Sequence, residues 1–206
     1  MELIKLTKII LVRHGLTLWN TERKIQGHSN VELAPEGIAQ AELLAKNFPL
    51  ENISAIYSSD LNRAKVTAET LAKKFNLPVQ FEKNLREANW GDWEGKKLSD
   101  IEKFDPVNYE RFFRNPEEVQ IKNAETFAQL QERAFSAVKK IIAAHPDENI
   151  IIVAHGAINR TILCSILEIP LKKMWALSQF NTAINIFRYE DGYFTVELIN
   201  GTAHLS

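Results

Sequence analysis

Arg13, His14 and Gly15 follow directly on the apolar run Ile9-Ile10-Leu11-Val12, and far downstream Ala154, His155 and Gly156 follow Ile150-Ile151-Ile152-Val153. A neutral imidazole nitrogen can attack phosphorus and hold the phosphoryl group covalently, which splits one hard hydrolysis into two easier displacements. A neighbouring guanidinium stays charged, and its fork matches the oxygens of a phosphoryl group. His14 is therefore the candidate nucleophile and Arg13 a candidate phosphate ligand. Apolar runs of this length, rich in β-branched residues, read as buried parallel strands, so each histidine falls where a strand ends and the chain turns. Open α/β sheets keep their sites at that end.

The elements that must position these residues alternate along the chain. A strand from Lys8 to Arg13 leads into a functional loop from Gly15 to Leu33, and Pro35 at a first helical position opens a helix to about Phe48. A second strand runs near Ile53 to Tyr57. Ser59 or Asp60 is expected to cap a helix through Phe75, followed by a short strand from Pro78 to Phe81. From about Trp90 to Asn123 the alternation breaks into a segment rich in aromatic and charged residues, read as a helical cap insertion folding over the site. Phe127, Leu130, Ala134, Val138, Ile141 and Ile142 then mark one face of a long amphipathic helix. A strand from Ile150 to Ala154 and a helix from Ala157 to Leu167 come next. The last stretch alternates from Ala183 to Tyr189, turns at Asp191-Gly192 and returns from Tyr193 to Ile199, a hairpin signal that adds an antiparallel strand.

Composition narrows the class. With 206 residues, 45% of them hydrophobic, the chain suffices for one two-sided sheet core and is short for two, so residues 1–206 read as one domain. Its 25 basic and 26 acidic residues nearly cancel, so charge that binds phosphate must be concentrated locally by folding, and no nucleic-acid surface is expected. The lone cysteine, Cys164, reads as a buried helical residue. The N-terminal apolar stretch is too short for an export signal, and no segment has membrane-spanning length, which together point to a cytoplasmic protein.

Further motifs extend the first triplet: Trp19-Asn20, Gln26-Gly27, Leu33-Ala34-Pro35-Glu36-Gly37, Tyr57-Ser58-Ser59-Asp60-Leu61-Asn62-Arg63-Ala64, Leu85-Arg86-Glu87 with Gly91-Asp92-Trp93-Glu94-Gly95, and Val153-Ala154-His155-Gly156. In this order, and across nearly the whole chain, the sequence resembles the histidine phosphatase superfamily, the phosphoglycerate mutase-like group. The resemblance implies an α/β fold, a three-layer α/β/α sandwich with a mostly parallel sheet, an antiparallel edge strand and a helical cap at about 90–123.

It also fixes roles. Arg13 and Arg63 would hold a phosphate dianion, with Arg63 helped by the start of its helix. His155, before a helix N-terminus, would donate to the equatorial oxygens in the transition state. Glu87 would be the general acid that protonates the leaving oxygen and then the base toward water. Asn20, Gln26 and Gly27 match substrate-contacting loop positions, with Thr17 counted among them, and Gly15 and Gly156 would allow close backbone approach. Of the other histidines, His145 reads as helix-end surface and His204 as structural, while His28, directly after Gln26-Gly27, could reach a substrate, with a loop role outside the chemistry the favoured reading.

His14, His155 and Glu87 can also be drawn as a metal site, but the adjacent arginines would repel a cation and already supply its charge. The expectation is no metal and no cofactor. A cofactor-dependent phosphoglycerate mutase is a second reading. Such enzymes typically follow the acid with Arg-His-Tyr-Gly and carry paired arginines, whereas here Ala88-Asn89-Trp90-Gly91 follows Glu87, and Arg111 and Arg114 are split by two phenylalanines. The Glu87 to Gly95 pattern instead resembles the branch of broad-specificity phosphatases and α-ribazole phosphatase. A non-catalytic phospho-ligand binding protein is the third reading. The expected partner is a small phosphorylated metabolite, and a homodimer is compatible with the family.

Overall fold

The computed structural model describes residues 6–206. Its centre is a six-stranded sheet made of β1 (Leu6–Arg13), β2 (Ala55–Ser58), β3 (Val79–Phe81), β4 (Asn149–Ala154), β5 (Ile184–Glu190) and β6 (Tyr193–Gly201), in the order β3-β2-β4-β1-β5-β6. The first four are mutually parallel, while β5 runs antiparallel to β1 and β6 antiparallel to β5. The antiparallel part thus comprises both strands of the hairpin.

The continuous apolar runs are explained by helices on both faces. Ile9 and Leu11 point into a core shared with α6 (Phe127–Ala144) and α7 (Gly156–Ile166), while Ile10 and Val12 point into one shared with α2 (Pro35–Lys46) and α3 (Asn62–Phe75). Strands covered on both faces have no polar side to show. Cys164 lies in the first of these cores, where burial pushes its thiol up to about 11.

The loop after β1 contains the short helix α1 (Leu18–Thr21), capped by Thr17 and Asn20 in a reciprocal capping box. The cap is helical, with α4 (Leu98–Phe104) and α5 (Pro106–Arg114) followed by a 3₁₀ turn at Pro116–Glu118. Its aromatic residues join the larger core directly: Trp90 packs on Phe112 and Phe127 with ring centroids 5.3 and 5.2 Å apart. Phe104 and Phe113 stay exposed. A 3₁₀ segment, Leu171–Ala176, which the sequence reading did not anticipate, brings Trp175 to within 4.7 Å of Phe112, centroid to centroid.

Two expectations need correction. The N-cap of α3 is Leu61, not Ser59 or Asp60. Asp60 is drawn away by a bidentate pair with Arg86 and Ser59 by His155, and the first amide of the helix, Asn62 N, is instead capped from a distant loop by Asn30 Oδ1 at 2.8 Å. His145 is half-buried rather than a surface residue, because its ring bridges Tyr57 Oη and Glu148 Oε2 at 2.9 and 2.6 Å. His204 is buried and hydrogen-bonded to Thr182 Oγ1.

Candidate active site

Register places the two histidines side by side. Arg13 pairs with Ala154 across the central β1–β4 ladder, His14 N donates to Ala154 O, and the rings of His14 and His155 lie 5.1 Å apart at the carboxyl ends of the strands. The carbonyl of Gly15 accepts a 2.7 Å hydrogen bond from His14 Nδ1. A carbonyl only accepts, so Nδ1 carries the proton and Nε2 keeps its lone pair. Burial first, then the charges of Arg63 and Arg13, hold the His14 pKa well below its ordinary 6.5, so the ring is neutral. Neutral with a free nitrogen is the state a nucleophile requires.

Two guanidinium groups flank it. Arg13 donates from Nη1 to Gln179 O, and its buried Nε has no partner among the described residues. Arg63, almost wholly buried, donates from Nε to His155 Nδ1, from Nη1 to Ser29 O and from Nη2 to Gly27 O. Burial is the main cause that lowers both pKa values to about 10, which still leaves both groups cationic at neutral pH. Desolvated cations of this kind are stabilised by an incoming anion.

Glu87 is buried at the start of α7. Its Oε1 accepts from Ala88 N and Ile158 N, and its Oε2 from Ala157 N, at 3.0 to 3.1 Å. The carboxylate thereby caps a helix whose N-cap residue, His155, provides no side-chain cap. The backbone of Glu87 is fixed in turn: its carbonyl accepts from Arg133 Nη2 and His28 Nε2, both at 2.9 Å. Arg133 is aligned by a bidentate pair with Glu125. His28 therefore braces the acidic loop.

A cavity of about 150 Å³ brings together Arg13, His14, Asn20, Gln26, Gly27, Arg63, Glu87 and Gly156, all singled out in the sequence. Asn20 Oδ1 already accepts from Thr17 and Asn181, so its amide NH₂ is the end left for a ligand. Gln26 Oε1 is a buried acceptor without a partner among the described residues. Three other expected residues lie outside the lining. Thr17 is buried and spends its hydroxyl on the α1 cap. Gly15 packs against α2, where a Cβ would stand 2.4 Å from Gly37 O. His155 is fully buried, with Nδ1 accepting from Arg63 Nε and Nε2 hydrogen-bonded to Ser59 Oγ.

The sequence reading missed Lys24, Ile25, Ala157, Arg160 and Trp175; from the aromatic cap segment, Trp90 and Phe112 also line the cavity. Arg160 had a signal: it stands one helical turn after Gly156, on the same end of α7. Trp175 had none, because a 3₁₀ segment leaves no periodicity to read. Arg111 and Arg114 point away, ion-paired with Glu118 and Glu110. Of the three candidate metal donors, Glu87 accepts backbone amides with both oxygens and His155 engages Arg63 and Ser59 with its two ring nitrogens, while His14 keeps Nε2 free.

Comparison with known proteins finds relatives along nearly the whole chain. The model of the histidine phosphatase superfamily (branch 1) matches residues 9–202. The chain is 36% identical to phosphoglycerate mutase-like protein 4 of Arabidopsis thaliana over 208 residues, covering 99% of this chain and 89% of that one. It is 32% identical to a metal-independent phosphoserine phosphatase of the same plant over 205 residues, 98% of this chain and 84% of that one. Among solved structures, Bacillus stearothermophilus YhfR superposes with a TM-score of 0.92 at 32% identity, covering 97% of this chain and all of that one. A phosphoserine phosphatase mutant from Entamoeba histolytica in complex with phosphoserine gives 0.88 at 29% identity, with 97% and 100% covered.

Proposed function

The chain belongs to the histidine phosphatase superfamily, and from that premise we propose that it is a metal-independent phosphomonoesterase that hydrolyses small phosphorylated metabolites through a phosphohistidine on His14. The observation that carries this reading is the neutral His14, with Nε2 free, set in one small cavity with two buried guanidinium groups and a single carboxylate. Arg13 and Arg63 take the phosphoryl oxygens. His14 Nε2 attacks phosphorus in line, the P–O ester bond breaks, and the leaving alkoxide takes a proton from Glu87. Water then attacks the phosphohistidine, Glu87 takes its proton, the N–P bond breaks and His14 returns neutral with inorganic phosphate. Glu87 Oε2 accepts a single amide while Oε1 accepts two, so Oε2 is the oxygen with room for the proton.

The test is phosphate release by chelator-treated protein from a panel of phosphomonoesters, together with capture of an acid-labile, alkali-stable phosphoenzyme. Wild type should turn over without added metal and form the phosphoenzyme; His14→Ala should do neither. Activity lost on chelation and restored by Zn²⁺ or Mn²⁺ would overturn the mechanism. Isomerisation of a phosphoglycerate that depends on a bisphosphorylated primer would overturn the reaction class.

A further inference from the structure

Arg160 has no part in the chemistry just described, yet it lines the same cavity as His14. Two of its donors are spent on holding it still: Nε donates to Leu177 O at 2.8 Å and Nη1 to Gly156 O at 2.9 Å. The guanidinium lies over the ring of Trp175, 5.1 Å from its centroid, and Trp175 is anchored by an indole hydrogen bond to Phe112 O. Nη2 is left without a protein partner, and no carboxylate forms an ion pair with the group among the described residues. The one acidic side chain in the lining is Glu87, whose oxygens are committed to backbone amides. A Cβ on Gly156 would stand 3.3 Å from Arg160 Nη1 and 3.4 Å from Arg13 Nε, so glycine keeps open the gap between the two guanidinium groups.

We infer that Arg160 is a specificity-determining residue: its free Nη2 face receives a second anionic group on the substrate, a carboxylate on the carbon skeleton beside the phosphoester. The inference rests on the phosphatase reading and deepens it. Arg13 and Arg63 match the phosphate dianion, which leaves Arg160 facing the alcohol part of the ester. A carboxylate is planar and suits a guanidinium edge. The cavity, about 150 Å³, is below the usual range for drug-sized ligands and suits an acid of few carbons. Gln26 Oε1, buried on the same lining and unpartnered among the described residues, is an acceptor for that acid's hydroxyl or ammonium group.

Matched ester pairs test this: 3-phosphoglycerate against glycerol 3-phosphate, and phosphoserine against phosphoethanolamine, each pair differing by the carboxylate. The wild type should favour the acid in kcat/KM by about 10- to 150-fold, the range of one charged hydrogen bond. In Arg160→Met, which keeps an apolar stem against Trp175, that ratio should collapse toward one, and Arg160→Lys should recover part of it. Equal losses on both members of a pair would overturn the proposal by making Arg160 a phosphoryl ligand or a structural brace. An unchanged ratio would overturn it by removing Arg160 from substrate contact. Calorimetric binding of the same pairs to His14→Ala protein, with and without Arg160, reads the selectivity independently of turnover. Failure of the phosphatase reading, in which the wild type hydrolyses no ester, is thereby separated from failure of this one.

Discussion

At the residue scale, the site divides between groups that act and groups that hold them. Glu87 does both, because the carboxylate assigned to proton transfer also caps α7 through Ala157 N and Ile158 N. Glu87→Gln separates the two roles. The amide oxygen can keep the Ala88 and Ile158 contacts, but its NH₂ must face Ala157 N, so stability should drop by about 1–3 kcal/mol for one unsatisfied donor. Chemistry should fall further and selectively. Alkyl phosphates, whose leaving oxygen needs a proton, should lose about 10²- to 10⁴-fold in kcat, while nitrophenyl phosphate, whose leaving group needs little help, should lose far less. Thermal unfolding and the two kcat values on the same preparations decide it. Equal kinetic losses would remove Glu87 as the proton donor.

At the scale of elements, the strands bring the machinery to one end of the sheet and the loops close it. Glu94 ties two of those loops together: its carboxylate accepts from His28 N, Ser29 N, Ser29 Oγ and Trp90 N, joining the segment after α1 to the acidic loop. Gly27 makes this possible. Its φ is +52°, and a Cβ there would lie 2.0 Å from Glu94 Oε1. Gly27→Ala should therefore expel Glu94, cost about 1–3 kcal/mol through strain, and free the carbonyls of Gly27 and Ser29 that steady Arg63. The expected result is a lower denaturation midpoint together with a raised KM; wild-type values of both would refute the clamp. The strands, the amphipathic α6 and the strand-end histidines were legible because burial on two faces, helical period and a glycine after each histidine are local signals. The α3 cap was misread because Ser59 and Asp60 have tertiary partners that outcompete the local amide. Trp175 and the bracing pair Glu125–Arg133 were invisible for a related reason: their meaning lies in contacts with Arg160 and with the backbone of Glu87, distant in sequence.

At the scale of the whole molecule, a net charge of -1 hides a concentrated positive site beneath which two neutral histidines are buried. This sets how stability responds to acid. Burial is the first cause that depresses His14, His155 and His204, with the neighbouring arginines adding to it for the first two. In the unfolded chain each would titrate near 6.5. As pH falls below that value, the unfolded state takes up protons that the folded state refuses, so stability rises with pH and is lost toward acid, by up to about 1.4 kcal/mol per pH unit for each strongly depressed histidine. Asp60, held low by Arg86, has the usual carboxylate sign, and its contribution is lost only at pH values below its ordinary 3.8, outside this window. Between pH 6.5 and 5 the melting temperature should therefore fall steadily. His14→Asn, which keeps an amide donor for Gly15 O, should flatten that fall by one histidine's share, and an unaltered slope would mean that His14 is not held neutral by the fold. The same buried cations should make inorganic phosphate stabilising: occupancy at 100 times its dissociation constant adds about 2.7 kcal/mol. Because burial of Arg13 and Arg63 opposes folding until an anion arrives, the phosphate-induced rise in melting temperature should shrink in Arg63→Met, and an undiminished rise would place the anion elsewhere on the molecule.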